Sequence, residues 1–232
     1  MAPRIGITTS YEDGTQQLDR RYVTAVERAG GVPIPLPMLD TDPPVAELVS
    51  LLDGLVVIGG PAVTEGLVGT LPDGLGMLDS VRGDSDRQWI ERCWAENRPI
   101  LGICYGMQQL NALAGGTIYA DVEQQHDGAR THSQKRGATT HSVTIAPDSR
   151  LHAVLDRDAV TVNTRHFQAV ATTGSGFSVA ATAPDGVIEA IEHESGRIFG
   201  VQFHPERMGE EMHPLFRWLV TTASEAPVSP TA

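Results

Sequence analysis

PILGICYGMQQLNALAGG, residues 99–116, opens on a short apolar run rich in β-branched residues (Ile100, Leu101, Ile103), the signature of a buried strand. Gly102, Cys104 and Gly106 then fall at alternate positions. A helical pattern follows, with Met107, Leu110, Leu113 and Ala114 on one face, and Gly115-Gly116 stops it. A reactive side chain set between two glycines at a strand-to-helix turn is a nucleophile elbow, here carrying Cys instead of Ser. The glycines are expected to let the backbone turn sharply and to keep bulk away from the sulfur. The helix N-terminus behind Cys104 favours negative charge and so the thiolate. A buried Cys serving only as a small hydrophobe is the competing reading, and the Gly-x-Cys-x-Gly spacing argues against it.

The 232 residues carry a net charge of −12 with no run of Lys or Arg, which argues against a nucleic-acid surface. Two cysteines without paired spacing indicate neither a disulfide framework nor a Cys-based zinc site. No apolar run approaches 18 residues and no basic stretch precedes an apolar one at the N-terminus, so no membrane partner is expected and a cytoplasmic location follows by default.

Working outward, RIGITT (4–9), residues 32–36, 55–58 and the elbow strand alternate with helical patterns at 16–29, 45–52 and 84–97. This alternation predicts a parallel sheet covered on both faces, and the prolines of residues 32–36 predict an edge strand there. Residues 62–83 break the rhythm and read as a functional or flexible connection. After Gly116 the runs 117–120, 142–146, 160–162, 177–183, 187–193 and 198–203 are separated by turns such as Pro184-Asp185-Gly186, so antiparallel strands should extend the parallel core. A helix at 212–223 closes the chain. Residues 1–224 are expected to form a single domain, with 225–232 (EAPVSPTA) as a disordered tail.

A Cys nucleophile needs a base, and the base needs an orienting group. Of eight histidines, His204 has the strongest claim, because it ends the apolar strand IFGVQF before Pro205, and Glu206 sits two residues on. The oxyanion hole should use backbone N–H groups, those of Tyr105 and of Gly60 at another strand end. His126, His132 and His141 lie in a polar stretch (123–141) whose spacings match no metal-ligand pattern. They are expected to be solvated or to line a pocket, and no metal or other cofactor is expected. Asn163, His166 and Gln168 offer polar contacts to a substrate or to turn backbone.

Together GICYGMQ and GVQFHPE resemble the class I glutamine amidotransferase superfamily, whose triad is Cys-His-Glu. RIGITT, RRYVTAVERAGGVPIPLP, GGTIYADV, HSVTIAPDSRL, VNTRHFQAV and PDGVIEAIEH resemble, in order, segments of its γ-glutamyl-γ-aminobutyrate hydrolase family. The resemblance implies a flavodoxin-like three-layer α/β sandwich with a mostly parallel central sheet and added antiparallel strands. It implies Cys104 as nucleophile, His204 as base, Glu206 as its orienter, Gly60 and Tyr105 as oxyanion hole, and Gln108 with His166 at the γ-glutamyl pocket; Gln168 is the further candidate for substrate binding from the residues themselves. Three features depart from the family: Tyr105 stands where Arg is common, His166-Phe167 replaces paired His, and the 61–83 connection is short and lacks an Arg-Asp pair ahead of the next helix.

The activity these features imply is hydrolysis of a γ-glutamyl amide through a glutamyl thioester, with a small-molecule substrate and no cofactor; no synthetase or acceptor domain is apparent in the chain. The alternative is a glutaminase subunit supplying ammonia to a separate synthase, for which Tyr105 is the best support. A metabolite-binding protein without activity is a third reading, which the complete triad opposes. A homodimer is the default oligomer.

Overall fold

The computed structural model describes residues 1–39, 41–73, 75 and 78–225, the side chain of residue 42 excepted; the expected tail from 226 onward lies outside the described residues. The first half of the chain builds β1 (Arg4–Ile7), β2 (Ser10–Glu12), β3 (Thr15–Gln17), α1 (Arg20–Arg28), β4 (Val32–Pro35), α2 (Asp42–Val49), β5 (Gly54–Val57), β6 (Leu67–Val68), α3 (Ser80–Ala95), β7 (Ile100–Ile103) and α4 (Tyr105–Leu113). The second half adds β8 (Thr117–Tyr119), α5 (Val122–Gln125), β9 (Thr140–Ile145), α6 (Arg150–Leu155), β10 (Ala159–Asn163), β11 (Ala169–Thr172), β12 (Phe177–Thr182), β13 (Ile188–His193), β14 (Ile198–Val201) and α7 (His213–Ser224).

The main sheet runs β10-β9-β12-β13-β14-β7-β5-β1-β4. Its β14-β7-β5-β1-β4 half is parallel and its other half antiparallel, as the change of pattern after Gly116 predicts. The proline-bearing β4 is the edge strand. Alternate residues of each buried strand feed two cores, which is how a sheet covered on both faces is held. Val56, Leu101 and Ile103 join Val26, Phe216 and Leu219 of α1 and α7 on one side. Leu55, Val57 and Ile100 join Val49, Ile90 and Leu110 of α2, α3 and α4 on the other.

Three expectations are corrected. Residues 10–17 form a β-hairpin, and the helix begins only at Arg20. The reason is the Asp13-Gly14 turn, where both residues hold positive φ (49° and 76°), and the Asp19 carboxylate that caps the helix by accepting from the Arg21 N–H. The 61–83 connection is partly ordered by secondary structure: β6 pairs in parallel with β8, and α3 starts at Ser80 under an Asp79 cap. Finally, α4 is buried around its whole girth from Tyr105 to Ala112, because the small sheet β11-β8-β6 covers the side turned away from the main sheet. Asn111, inside α4, fastens that cover by donating to the Thr117 and Thr172 carbonyls (3.3 and 3.0 Å) and accepting from the Gly174 N–H (2.9 Å).

Candidate active site

Register places the site. β14 lies beside β7 in parallel, Val201 against Ile103, and the Cys104 N–H donates to the Val201 carbonyl at 2.7 Å. Residues that follow the two strands therefore emerge side by side at the carboxyl end of the sheet, where open α/β folds bind ligands. About a hundred residues of sequence separate Cys104 from His204, and two neighbouring strands bring them together.

Cys104 itself takes the strained backbone, φ 53° and ψ −105°, directly ahead of α4. Gly102 and Gly106 do not supply the turn, contrary to the expectation from their spacing; they permit close approach. A Cβ on Gly106 would lie 2.3 Å from the Val57 carbonyl oxygen, and one on Gly102 would lie 2.6 Å from a Leu110 methyl. Cys104 is 8% exposed and its sulfur stands beside the His204 ring; Gln202 donates to Sγ at 3.5 Å.

His204 Nδ1 lies 2.9 Å from Glu206 Oε1, which orients the ring with its other nitrogen free to exchange a proton with the thiol. Glu206 is buried and its Oε1 also pairs with Arg207 Nε at 3.2 Å. Burial works against a charged ring, yet the neighbouring Cys104 and Glu206 prevail and lift the His204 pKa to about 10. Asn163 clamps the same residue by its backbone: its amide donates to the His204 carbonyl (2.8 Å) and accepts from the His204 N–H (3.1 Å). Gly59 makes room for the ring, since a Cβ there would lie 2.7 Å from His204 Cε1. The Tyr22 hydroxyl accepts from the Gly59 N–H at 3.2 Å and stands beside Glu206; burial first, then that carboxylate, keeps the phenol protonated.

Cys104, Gly60, Gln108, His166 and Gln168 line one cavity of about 350 Å³. The Tyr105 amide opens α4, where first-turn N–H groups have no partner within the helix. The side chains of His166 and Gln168 are committed within the protein. Gln168 both donates to and accepts from the Val63 backbone (2.9 and 2.7 Å), and His166 Nδ1 meets the Gln168 carbonyl at 2.9 Å. Gln108 donates to the Gln168 carbonyl (3.0 Å) and to Gln202 Oε1 (3.1 Å). These three residues shape the wall, and exposed Arg165 and Lys135 bring positive charge to the same cavity. The Tyr105 side chain is fully buried away from the cavity lining, its ring 4.6 Å from the Arg82 guanidinium carbon. A larger groove of about 1150 Å³ runs between Trp94, Arg150 and Arg217 at the opposite end of the sheet and contains no cysteine.

Gln202, Arg82 and Tyr22 are not singled out by the sequence. Gln202 had a signal, lying between the apolar strand and His204. Arg82 had none, because a polar residue in a connection looks solvated until the helix is known to begin at Ser80. The expectation of solvated histidines also fails for His132, which is fully buried.

A family model, Peptidase C26, matches residues 3–206. The chain belongs to this glutamine amidotransferase-like hydrolase family. It is 32% identical over 191 residues to Protein NtpR of Enterococcus hirae, covering 80% of this chain and 79% of that one. It is 30% identical over 207 residues to the γ-glutamyl-γ-aminobutyrate hydrolase PuuD of Escherichia coli, covering 83% and 79%. The crystal structure of a putative GMP synthase protein from Thermoplasma acidophilum shows the same fold, with TM-score 0.69, 19% identity and coverage of 97% and 95%. Among the described residues no helix is long and apolar enough to cross a membrane.

Proposed function

We infer that the chain is a cysteine hydrolase that cleaves γ-glutamyl amides to glutamate and a free amine. The observation that carries this reading is the placement of Cys104 beside the His204 ring, which Glu206 holds at 2.9 Å, at the carboxyl end of the sheet with the cavity opening on the sulfur. Likeness to PuuD supports the γ-glutamyl class of substrate.

With its pKa raised, His204 holds a proton at neutral pH, and a positive ring beside the sulfur favours attack by the thiolate. The thiolate attacks the γ-carbonyl, and the oxyanion is met by the Gly60 and Tyr105 N–H groups, fixed in advance by strand end and helix start. Collapse breaks the C–N bond as His204 gives its proton to the departing amine, leaving a glutamyl thioester. His204, now neutral, takes a proton from water; the hydroxide attacks the thioester, and the thiolate leaves as glutamate is released. Arg165 and Lys135 stand where they can meet the substrate's α-carboxylate.

The test is glutamate release from γ-glutamyl amides of γ-aminobutyrate, putrescine and spermidine, set beside glutamine. Turnover of one or more of the amines with kcat/KM well above that for glutamine is expected. Preference for glutamine, with activation by a co-purifying synthase, would establish the glutaminase reading instead. Asn163→Ala is expected to lower kcat about 10²-fold with little change in KM, because it releases the backbone that sets the ring and touches no substrate group. An equal loss carried wholly by KM would count against that role.

A further inference from the structure

Glu189, on β13, is 0% exposed, and three imidazole nitrogens surround its Oε1: His141 Nε2 at 3.0 Å, His166 Nε2 at 3.4 Å and His132 Nδ1 at 3.5 Å. None of these approaches has hydrogen-bond geometry, and both Glu189 oxygens, His166 Nε2 and His141 Nε2 are buried without a hydrogen bond. An unmet buried carboxylate is costly, so the arrangement needs a positive partner.

The outer hydrogen bonds say what kind. His132 Nε2 lies 2.9 Å from Asp185 Oδ2, and His166 Nδ1 lies 2.9 Å from the Gln168 carbonyl. With those N–H groups donated outward, each ring turns its other nitrogen toward the carboxylate: His166 Nε2 has no hydrogen-bond partner, and His132 Nδ1 has the Thr164 hydroxyl at 3.5 Å. Imidazolium N–H groups would satisfy that carboxylate along straight N–H···O lines, and the lines here are not straight. A metal ligand's second imidazole nitrogen regularly donates to a carboxylate or carbonyl, which is the pattern here.

We propose that His132 Nδ1, His141 Nε2 and a Glu189 carboxylate oxygen bind a divalent transition metal ion of the zinc class, with His166 flanking the same carboxylate. One ligand atom from each of the three residues lies within 4.8 Å of the other two. Ligands about 2.0–2.1 Å from a tetrahedral zinc ion sit about 3.3 Å apart, and the observed nitrogen–oxygen separations of 3.0 and 3.5 Å bracket that spacing. Charge agrees. Glu189 and the buried Asp185 carry two negative charges, and among the described residues their ion-pair partners are imidazoles only, with no Lys or Arg. One divalent ion neutralises both. It would tie the segment before Ser133, β9 and β13 together behind the cavity wall formed by Ser133, Gln134 and Lys135. This metal site is independent of the role of Cys104.

The test is calorimetric titration of chelator-stripped full-length protein with Zn²⁺, in a Cys104→Ser background so that the thiol cannot take the metal. One equivalent bound more tightly than about 1 μM is expected, with a rise in Tm on loading. Asp185→Asn should weaken binding about 10–100-fold, and Glu189→Gln or His141→Gln should weaken it further, while His152→Gln should have no effect. Should Glu189→Gln fail to fold, Co²⁺ added to the Cys104→Ser protein decides: visible bands of a four-coordinate nitrogen/oxygen site support the proposal, and an octahedral spectrum overturns it. Binding weaker than about 100 μM, or unaffected by His141→Gln, would also overturn it.

Discussion

Cys104→Ala is expected to lower kcat/KM for glutamate release from γ-glutamyl amides by about 10⁴-fold or more, because nucleophile, base and orienter act as one unit. Folding should survive, and the protein should still bind substrate. Iodoacetamide should label the parent protein at Cys104 alone. Cys93 is completely buried and burial pushes its thiol up to about 12, so it offers neither access nor thiolate. A further substitution separates chemistry from backbone strain. Cys104 sits at φ 53°, ψ −105°, a region that costs a non-glycine residue about 1–3 kcal/mol. Glycine loses about 0.4–1 kcal/mol more than alanine in unfolded-chain freedom. Cys104→Gly should therefore be the more stable of the two inactive proteins, by about 1 kcal/mol in urea unfolding. The reverse order would mean the elbow is relaxed, and full activity in Cys104→Ala would mean the nucleophile is elsewhere.

Arg82→Leu is expected to cost about 3–5 kcal/mol of stability. The Arg82 and Asp86 side chains are 3% and 2% exposed and pair at 3.1 Å within α3, so an Arg–Asp pair exists inside the helix although none precedes it. Removing the arginine strands a buried carboxylate. It also frees the Gly59 carbonyl, to which Arg82 donates at 2.9 Å, and with it the loop that carries the Gly60 N–H. Arg82→Leu/Asp86→Leu should recover most of the stability but not the activity, which separates the ion pair from the loop clamp. A fully active double variant would remove Arg82 from the positioning of that loop. Burial outweighs the arginine and pushes the Asp86 pKa up to about 6 from 3.8, so the folded protein holds that proton more tightly than the unfolded chain. The associated stability is present below about pH 4 and is lost as pH rises through 6. Asp86→Asn should flatten this part of the Tm–pH curve.

Much of the framework was legible because it is written in apolar runs. β5, β7 and β14 are short, almost wholly apolar stretches, and their burial on both faces needs that composition. Cys104 and His204 could be found because each immediately follows or nearly follows such a run. What stayed hidden is short, polar or assembled from afar. The hairpin at 10–17 has no apolar face to reveal it, and only Asp13-Gly14 marks it. β6, two residues long, is too brief to show a period. The histidines around Glu189 come from positions 132, 141 and 166, and no spacing rule joins them to 189; the sheet and its loops do.

The placement of β14 between β13 and β7 has a consequence for biosynthesis. During translation the segment carrying the thiol emerges roughly a hundred residues before the strand that supplies its base. A nascent chain can lay down β7, α4 and the edge strands while the sulfur still lacks its imidazole. A ribosome-bound fragment ending before Ile198 therefore carries the thiol without the imidazole of residue 204.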